Sequence, residues 1–335
     1  MDNITHSLTG LAMARAGLNR FSPRATLLLL VSANAPDSDI AAALHGAFSY
    51  LQAHRGYTHS LLGLPVMAAL SVLVVAAICR EKLPWWRAWA LCCIGVGSHL
   101  LLDLTNSYGV RLLLPFSARW FHLDINNLYD FVILAVLLLA AIWPLFESLV
   151  TGEIGARGSR GRGTAIAALS FFVVFDLARA ILHGRAVAEL NAFVYDDAAP
   201  IRAAALASRS NPFEWRGIVE TADSVRMLPV NTFRNLDLDA GEQFRKMPRD
   251  AVIEAARRTA PFRYFEYFSR FPIWSEEPVW IGQQRATRVD LTDLQFGRPG
   301  GGSFHCIAVV GGQNRVLLSY FTFASGNHSM GESGK

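Results

Sequence analysis

The sequence predicts a mainly α fold: a polytopic membrane helical bundle with a C-terminal soluble, mainly-β (α+β) domain. Three observations predict it. Of the 335 residues, 52% are hydrophobic and only 17% charged, and the mean hydropathy is +0.27, too apolar for an ordinary soluble protein of two domains. Apolar runs near the ~20 residues that a bilayer-crossing helix needs recur before residue 183. Beyond it the pattern changes to short β-rich runs separated by glycine turns.

The elements follow in chain order. "MDNITHSLTGLAMARAGL" opens with an acid and is broken by polar residues and glycines, so the spacing predicts a retained N-terminus rather than a cleaved signal. Residues 4–16 read as a helix ended by Gly17, residues 24–35 as a second interrupted by Pro36, and residues 38–52 as a third with Ser38 as its N-cap. Asn34, Asp37, Asp39 and His45 would be costly facing lipid. Residues 25–47 are therefore expected to form an intramembrane or interfacial hairpin packed on the bundle. Membrane spans are expected at 60–79, with Thr58 capping the first, and at 86–104, 128–150 and 164–182; in the last, Asp176 and Arg179 are positioned to pair at i,i+3. The expected domains are 1–182 and 183–335.

The loops orient this bundle. Arg80, Lys82 and Arg87 lie in one connection and Arg157, Arg160 and Arg162 in another, and both fall on one face of a four-span bundle. By the positive-inside bias that face is cytoplasmic, which leaves the C-terminal domain periplasmic. Arg15, Arg20, Arg24 and Arg55 are expected on the opposite face and count against this orientation.

In the C-terminal part, "FEWRGIVETADSVRMLPVNTF", "QRATRVDLTDLQFG" and "SFHCIAVVGGQNRVLLSYFTF" read as strands and "RDAVIEAARR" as a helix. "GRPGGGS" lacks the lysine and following helix of a phosphate loop and reads as a hairpin connection. Cys79, Cys92 and Cys93 lie in apolar segments and Cys306 stands alone, so no disulfide framework is visible. The net charge of +4 is too small to describe a nucleic-acid binder.

The chemistry concentrates in the first 103 residues. His99 and Asp103, at i and i+4, project from one helix face as paired metal ligands do, or as a plain imidazole–carboxylate hydrogen bond would. His54 and His59 are five apart, and a turn at Gly56 would let their rings converge. Asp37 and Asp39 are spaced to address one cation, or one to bind it and the other to accept a proton from water; either is also an ordinary capping residue. His6 joins them because Thr-His-Ser recurs at residues 58–60, again where a helix begins. His45, His183, His305 and His328 lack such company and read as structural or exposed.

Together "MDNITHSLTG", "NAPDSD", "HRGYTHSL" and "HLLLDLTNSYGVRLLLPFS" closely resemble the YdjM-type inner-membrane, metal-dependent hydrolases, a family also described as LexA-associated, over roughly residues 1–182. The resemblance implies metal ligation by His6, Asp37, His54, His59, His99 and Asp103, with Asp39 and Arg55 close by. More distantly it is similar to helical zinc phospholipase C and P1 nuclease enzymes, by analogy only. The expected function is hydrolysis of an amphiphilic ester or phosphoester, from a phospholipid or lipid-linked molecule, in the bacterial inner membrane. One or two Zn²⁺ ions suit the donor set best, and Mn²⁺ or Fe²⁺ would fit it. Asp39 is the expected general base or bridging ligand, and Arg55 the group that neutralises an anionic substrate. The competing expectation is a non-enzymatic membrane protein with a structural metal site.

Overall fold

The structure, a computed structural model, describes residues 1–154, 161–301 and 304–323. Arg157 and Arg160, residues 302–303 of "GRPGGGS", and His328 lie outside the described residues.

Asp2 caps helix α1 (Asn3–Ala16) by accepting from the backbone of Ile4 and Thr5, and Gly17, at φ 143°, ends it. The chain reverses into α2 (Ala25–Ser32), which packs back along α1; the hairpin therefore lies between α1 and α2, and residues 25–45, bent by only 41°, do not form the hairpin expected of them. Instead of one helix over 38–52, a 3₁₀ segment runs Ala35–His45, Gly46 turns at φ 100°, and a short α3 (Ala47–Ala53) follows. Pro36 withholds a helix donor here, and Asp37 and Asp39 turn toward histidines instead of capping the backbone.

Helix α4 (Gly63–Cys79) starts later than expected. Ser60 Oγ, not Thr58, accepts from its first backbone N–H at 2.9 Å. Then come α5 (Trp85–Leu104), α6 (Phe131–Ile154) and α7 (Arg162–Ala192). Gly95 lets α5 press on the end of α2: a Cβ there would sit 2.0 Å from Ser32 Oγ. Helices α5 and α7 are each long and apolar enough to cross a membrane. Residues 25–45 (bent by 41°) and 47–79 (bent by 88°) also qualify as broken pairs, whereas the apolar stretch Phe131–Glu147 of α6 is shorter. Leu70, Leu73, Leu139, Val173, Leu177 and Ile181 point outward, which is what lipid-facing helices require.

Two observations revise the expected arrangement. Asp176 does not pair with Arg179: it accepts from Asn126 at 2.8 Å, while Arg179 reaches Asp130 at 3.3 Å. Arg15, Arg20 and Arg24 also belong with the other basic loops, because α1 carries the chain away from its N-terminal end. Arg24 pairs with Glu81 at 2.5 Å, and Arg162 Nε donates to Ala16 O at 3.1 Å, which fixes that end as the basic one.

Helix α7 continues through the expected domain boundary and delivers the chain to two antiparallel four-stranded sheets. The first runs β1 (Arg202–Ala207), β2 (Glu214–Glu220), β3 (Ser224–Asn231) and β4 (Glu242–Arg245). After α8 (Ala251–Arg257) and α9 (Ala260–Phe268), the second runs β5 (Pro272–Ile281), β6 (Gln284–Asp293), β7 (His305–Val310) and β8 (Val316–Thr322). Neither sheet stands apart from the helices. Ala186 and Leu190 of α7 share a core with Trp215 and Leu228, and Leu51 of α3 is buried among Phe265, Phe268 and Phe321. Arg270 clamps Asp124 with two hydrogen bonds of 2.8 and 2.9 Å, and Gln295 Nε2 donates to Ser107 O at 2.6 Å.

Candidate metal centre

The site forms where the 3₁₀ segment, the Gly56 turn and the end of α5 meet. Two short-range features aim the turn: Arg55 takes φ 54°, and a Cβ on Gly56 would lie 2.7 Å from Ala53 O. The rings of His54 and His59 converge as expected, with centroids 5.8 Å apart.

Hydrogen bonds fix which nitrogens are free. His99 Nδ1 lies 2.7 Å from Ala33 O, and a carbonyl only accepts, so Nδ1 carries the proton and Nε2 presents a lone pair. His59 Nδ1 faces Thr58 Oγ1 at 2.9 Å and Asp39 Oδ2 at 3.2 Å, which orients its Nε2 the same way. The two Nε2 atoms then face each other at 3.1 Å. Asp37 Oδ1 stands 3.4 and 3.6 Å from them, and Asp103 Oδ2 3.4 and 3.5 Å. His59, His99 and Asp103 are fully buried, and Asp103 Oδ2 has no hydrogen-bond partner among the described residues. Four electron-pair donors converging in a dry site repel one another unless a cation lies among them. The residues present therefore fit a divalent metal.

Asp37, Asp39 and His54 bring their ligand atoms together in a second group, so Asp37 belongs to both. This second group is the open side, with the side chains of His54 and Asp37 13% and 14% exposed. Asp39 is heavily engaged. It accepts from His54 Nδ1 at 2.8 Å, the backbone of Arg55 at 2.9 Å and Thr58 Oγ1 at 2.9 Å. Asp103 divides its labour: Oδ1 takes the Arg55 guanidinium at 2.9 Å and the Met1 amino group, leaving Oδ2 to the cluster.

Arg55 is equally committed. It donates to Asn106 Oδ1 at 2.9 Å and Gly109 O at 3.2 Å, and lies over the Tyr108 ring. His6 stacks on His99 at 3.8 Å and approaches Asp103 at 3.4 Å, beside the two ligand groups rather than within either. Burial pushes the Tyr108 phenol above its ordinary range, with Tyr50 adding to it and Arg55 opposing. Sequence reasoning missed Asn106 and Tyr108, although both follow Asp103 in the quoted "HLLLDLTNSYGV". His45 and His183 belong to neither ligand group among the described residues.

A cavity of about 1230 Å³ leads from His54 and Arg55, past Tyr50 and Tyr108, to the first sheet.

The fold and the site define a membrane protein that carries, at the end of its helices nearest the sheets, a buried His/Asp cluster fit for metal. The chain belongs to the YdjM inner membrane protein family, whose model matches residues 1–186. That stretch contains every member of the cluster and ends before the sheets. The chain is 25% identical to the uncharacterized protein YfhP of Bacillus subtilis (strain 168), over 96% of its own length and 94% of that protein. It is 32% identical to the inner membrane protein YbcI of Escherichia coli (strain K12), over 35% of its length and 69% of that protein. No solved structure matches the chain.

Proposed function

We propose that the protein is a multi-pass inner-membrane hydrolase with a dinuclear metal centre, acting on an amphiphilic ester or phosphoester whose tail stays in the bilayer. The observation that carries this reading is the sharing of Asp37 between a closed group of four ligands and an open group with Asp39 and His54. In this assignment His59, His99, Asp103 and Asp37 hold the inner ion, and Asp37, Asp39 and His54 the outer one. Zn²⁺ suits these donors best, and Mn²⁺ or Fe²⁺ fit the same set. When bound, the metal supplies Lewis acidity and brings the pKa of water toward ~7.

The chain's own groups supply the rest. Asp39 fixes the tautomers of His54 and His59, and because three donors already occupy its oxygens we assign it to ligation and positioning ahead of the general-base role. His6 closes the buried side against His99. Arg55 holds Asp103 and, through its charge, favours a negatively charged substrate group at the cavity end it lines. Tyr108 keeps its proton and remains a donor. By the positive-inside bias the basic end is cytoplasmic, so the site and the sheets face the periplasm.

One observation favours a second reading, a structural metal: the four-ligand group is almost wholly buried. Elemental analysis combined with a lipid hydrolase screen separates the two. Protein purified without chelator should hold at least one first-row divalent ion per chain, and the double change His99→Ala with Asp103→Ala should empty it. Full metal in that variant overturns the assignment. Metal with no turnover of any phospholipid or lipid-linked ester, and unfolding on chelation, establishes the structural reading instead.

A further inference from the structure

The cavity that starts at His54 is walled on its far side by the first sheet, and the residues there are unevenly charged. Five arginines line it, Arg55, Arg209, Arg216, Arg234 and Arg298, against three carboxylates, Glu214, Asp237 and Glu242. Glu242 is occupied by Arg298 at 2.8 Å. Arg209 and Arg234 have no carboxylate partner among the described residues, and Arg216 donates only to a neutral backbone carbonyl, that of Gln295, at 2.5 Å. Arg209 and Arg298 lie close enough to Arg216 to oppose its charge. Burial lowers the Arg216 pKa most; Asp293 counters it, and the charges of Arg209 and Arg298 lower it further. Holding like charges together in a concave wall costs free energy that an anionic ligand returns.

We infer that the first sheet is the substrate-recognition wall of the centre, with Arg209, Arg216 and Arg234 binding a phosphate-bearing, multiply charged group while the reacting bond lies at His54. This rests on the hydrolase reading above and names its substrate class. Guanidinium forks match phosphate oxygens bidentately, and a single carboxylate carries too little charge to balance three of them. The same cavity is lined by that wall and by His54 of the open ligand group, so one molecule lying in it would touch both. The phosphate belongs either to a lipid headgroup or to a soluble phosphoester, which share this chemistry.

The test is equilibrium binding of radiolabelled inorganic pyrophosphate to the full chain in phosphatidylcholine nanodiscs, stripped with EDTA so that no metal contributes and shown by its thermal melt to stay folded. Should chelation unfold the chain, the metal-loaded form takes its place. Wild type should bind saturably. The pair Arg209→Ala with Arg234→Ala, which removes none of the hydrogen bonds described above, should bind at least about 10-fold more weakly, the loss expected when charge-assisted hydrogen bonds are removed. Arg209→Lys with Arg234→Lys should recover part of the affinity at an unchanged melting temperature. Phosphatidylglycerol added to the disc should compete if the source is a headgroup; absence of competition assigns a soluble phosphoester. Absence of saturable binding by wild type, or equal affinity in the alanine pair, overturns the inference. Because the paired variants leave every metal ligand in place, failure of the inference is separate from failure of the hydrolase reading, which the metal analysis decides.

Discussion

Asp39 shows how one side chain decides what its neighbours are. Its carboxylate accepts hydrogen bonds from His54, Thr58 and the Arg55 backbone, and so turns the bare nitrogen of His59 toward His99. Replacing it by Asn keeps the shape and one acceptor, but sets an NH₂ against a ring N–H or a hydroxyl. Asp39→Asn should therefore insert normally and bind metal about 10- to 100-fold more weakly, the range for disturbed ligand support, as measured by competition with a chelator of known affinity. Wild-type metal affinity with lost turnover would return Asp39 to the base role that its sequence position implies. The residue scale is also where the sequence was most legible. His6, Asp37, His54, His59, His99 and Asp103 stand at helix ends or breaks, and the fold gathers them at one end. What it did not reveal is which partner each one takes: Thr58 serves Asp39 rather than a helix, and Arg179 reaches Asp130, 49 residues away.

Among the elements, the hairpin of α1 and α2 does more than fill the bundle. Its end supplies the Ala33 carbonyl that fixes the His99 tautomer, and it gets there because Gly95 lets α5 approach within contact of Ser32. Gly95→Ala places a methyl 2.0 Å from Ser32 Oγ and 3.4 Å from the Ala33 backbone, so α2 must shift. We expect a cost of about 1–3 kcal/mol, typical of overpacking, together with weaker metal binding. A thermal melt of the holo and metal-free forms checks both, and an unchanged melt in each would show that α2 does not position the site. The length of their apolar runs made α5 and α7 legible, and short β-rich runs located β2, β3, β6, β7 and β8. The 3₁₀ segment was not legible, because its conformation answers to Asp37 and Asp39 reaching distant histidines rather than to local propensity. Nor was the arginine wall, since Arg209, Arg216, Arg234 and Arg298 are separated in sequence and come to line one cavity only in the fold, Arg298 from the connection between β6 and β7.

At the scale of the whole molecule, the sheets are docked on the helices rather than tethered to them, and the docking carries a charge that titrates. Burial alone would raise the Asp124 pKa, but His122 and Arg270 together hold it below the ordinary carboxylate value of about 3.9. A carboxylate with a depressed native pKa stabilises the folded state above its unfolded value, and that stabilisation is lost as the pH falls through the native one. Acidification below about pH 4 should therefore expose the sheets to protease before the bundle melts. Asp124→Asn should remove that dependence, at a cost of roughly 3 kcal/mol for breaking a buried pair. An unaltered acid profile would place the docking energy in the aromatic contacts instead. The same docking fixes topology. Because Phe131 N donates to Arg209 O at 2.9 Å and Asn127 Nδ2 to Ala207 O at 2.8 Å, the first sheet must lie at the end of the bundle that holds the metal centre. Arg15, Arg24, Glu81 and Arg162 define the other end. Moving Arg15, Arg20 and Arg24 to that end turns residues that opposed the positive-inside argument into support for it. Reporters fused after Arg162 and after Lys335 should accordingly read opposite sides, with the basic end in the cytoplasm. If both read the cytoplasm, α7 does not cross the bilayer, and the arginine-lined cavity opens to cytoplasmic phosphoesters rather than to the periplasm.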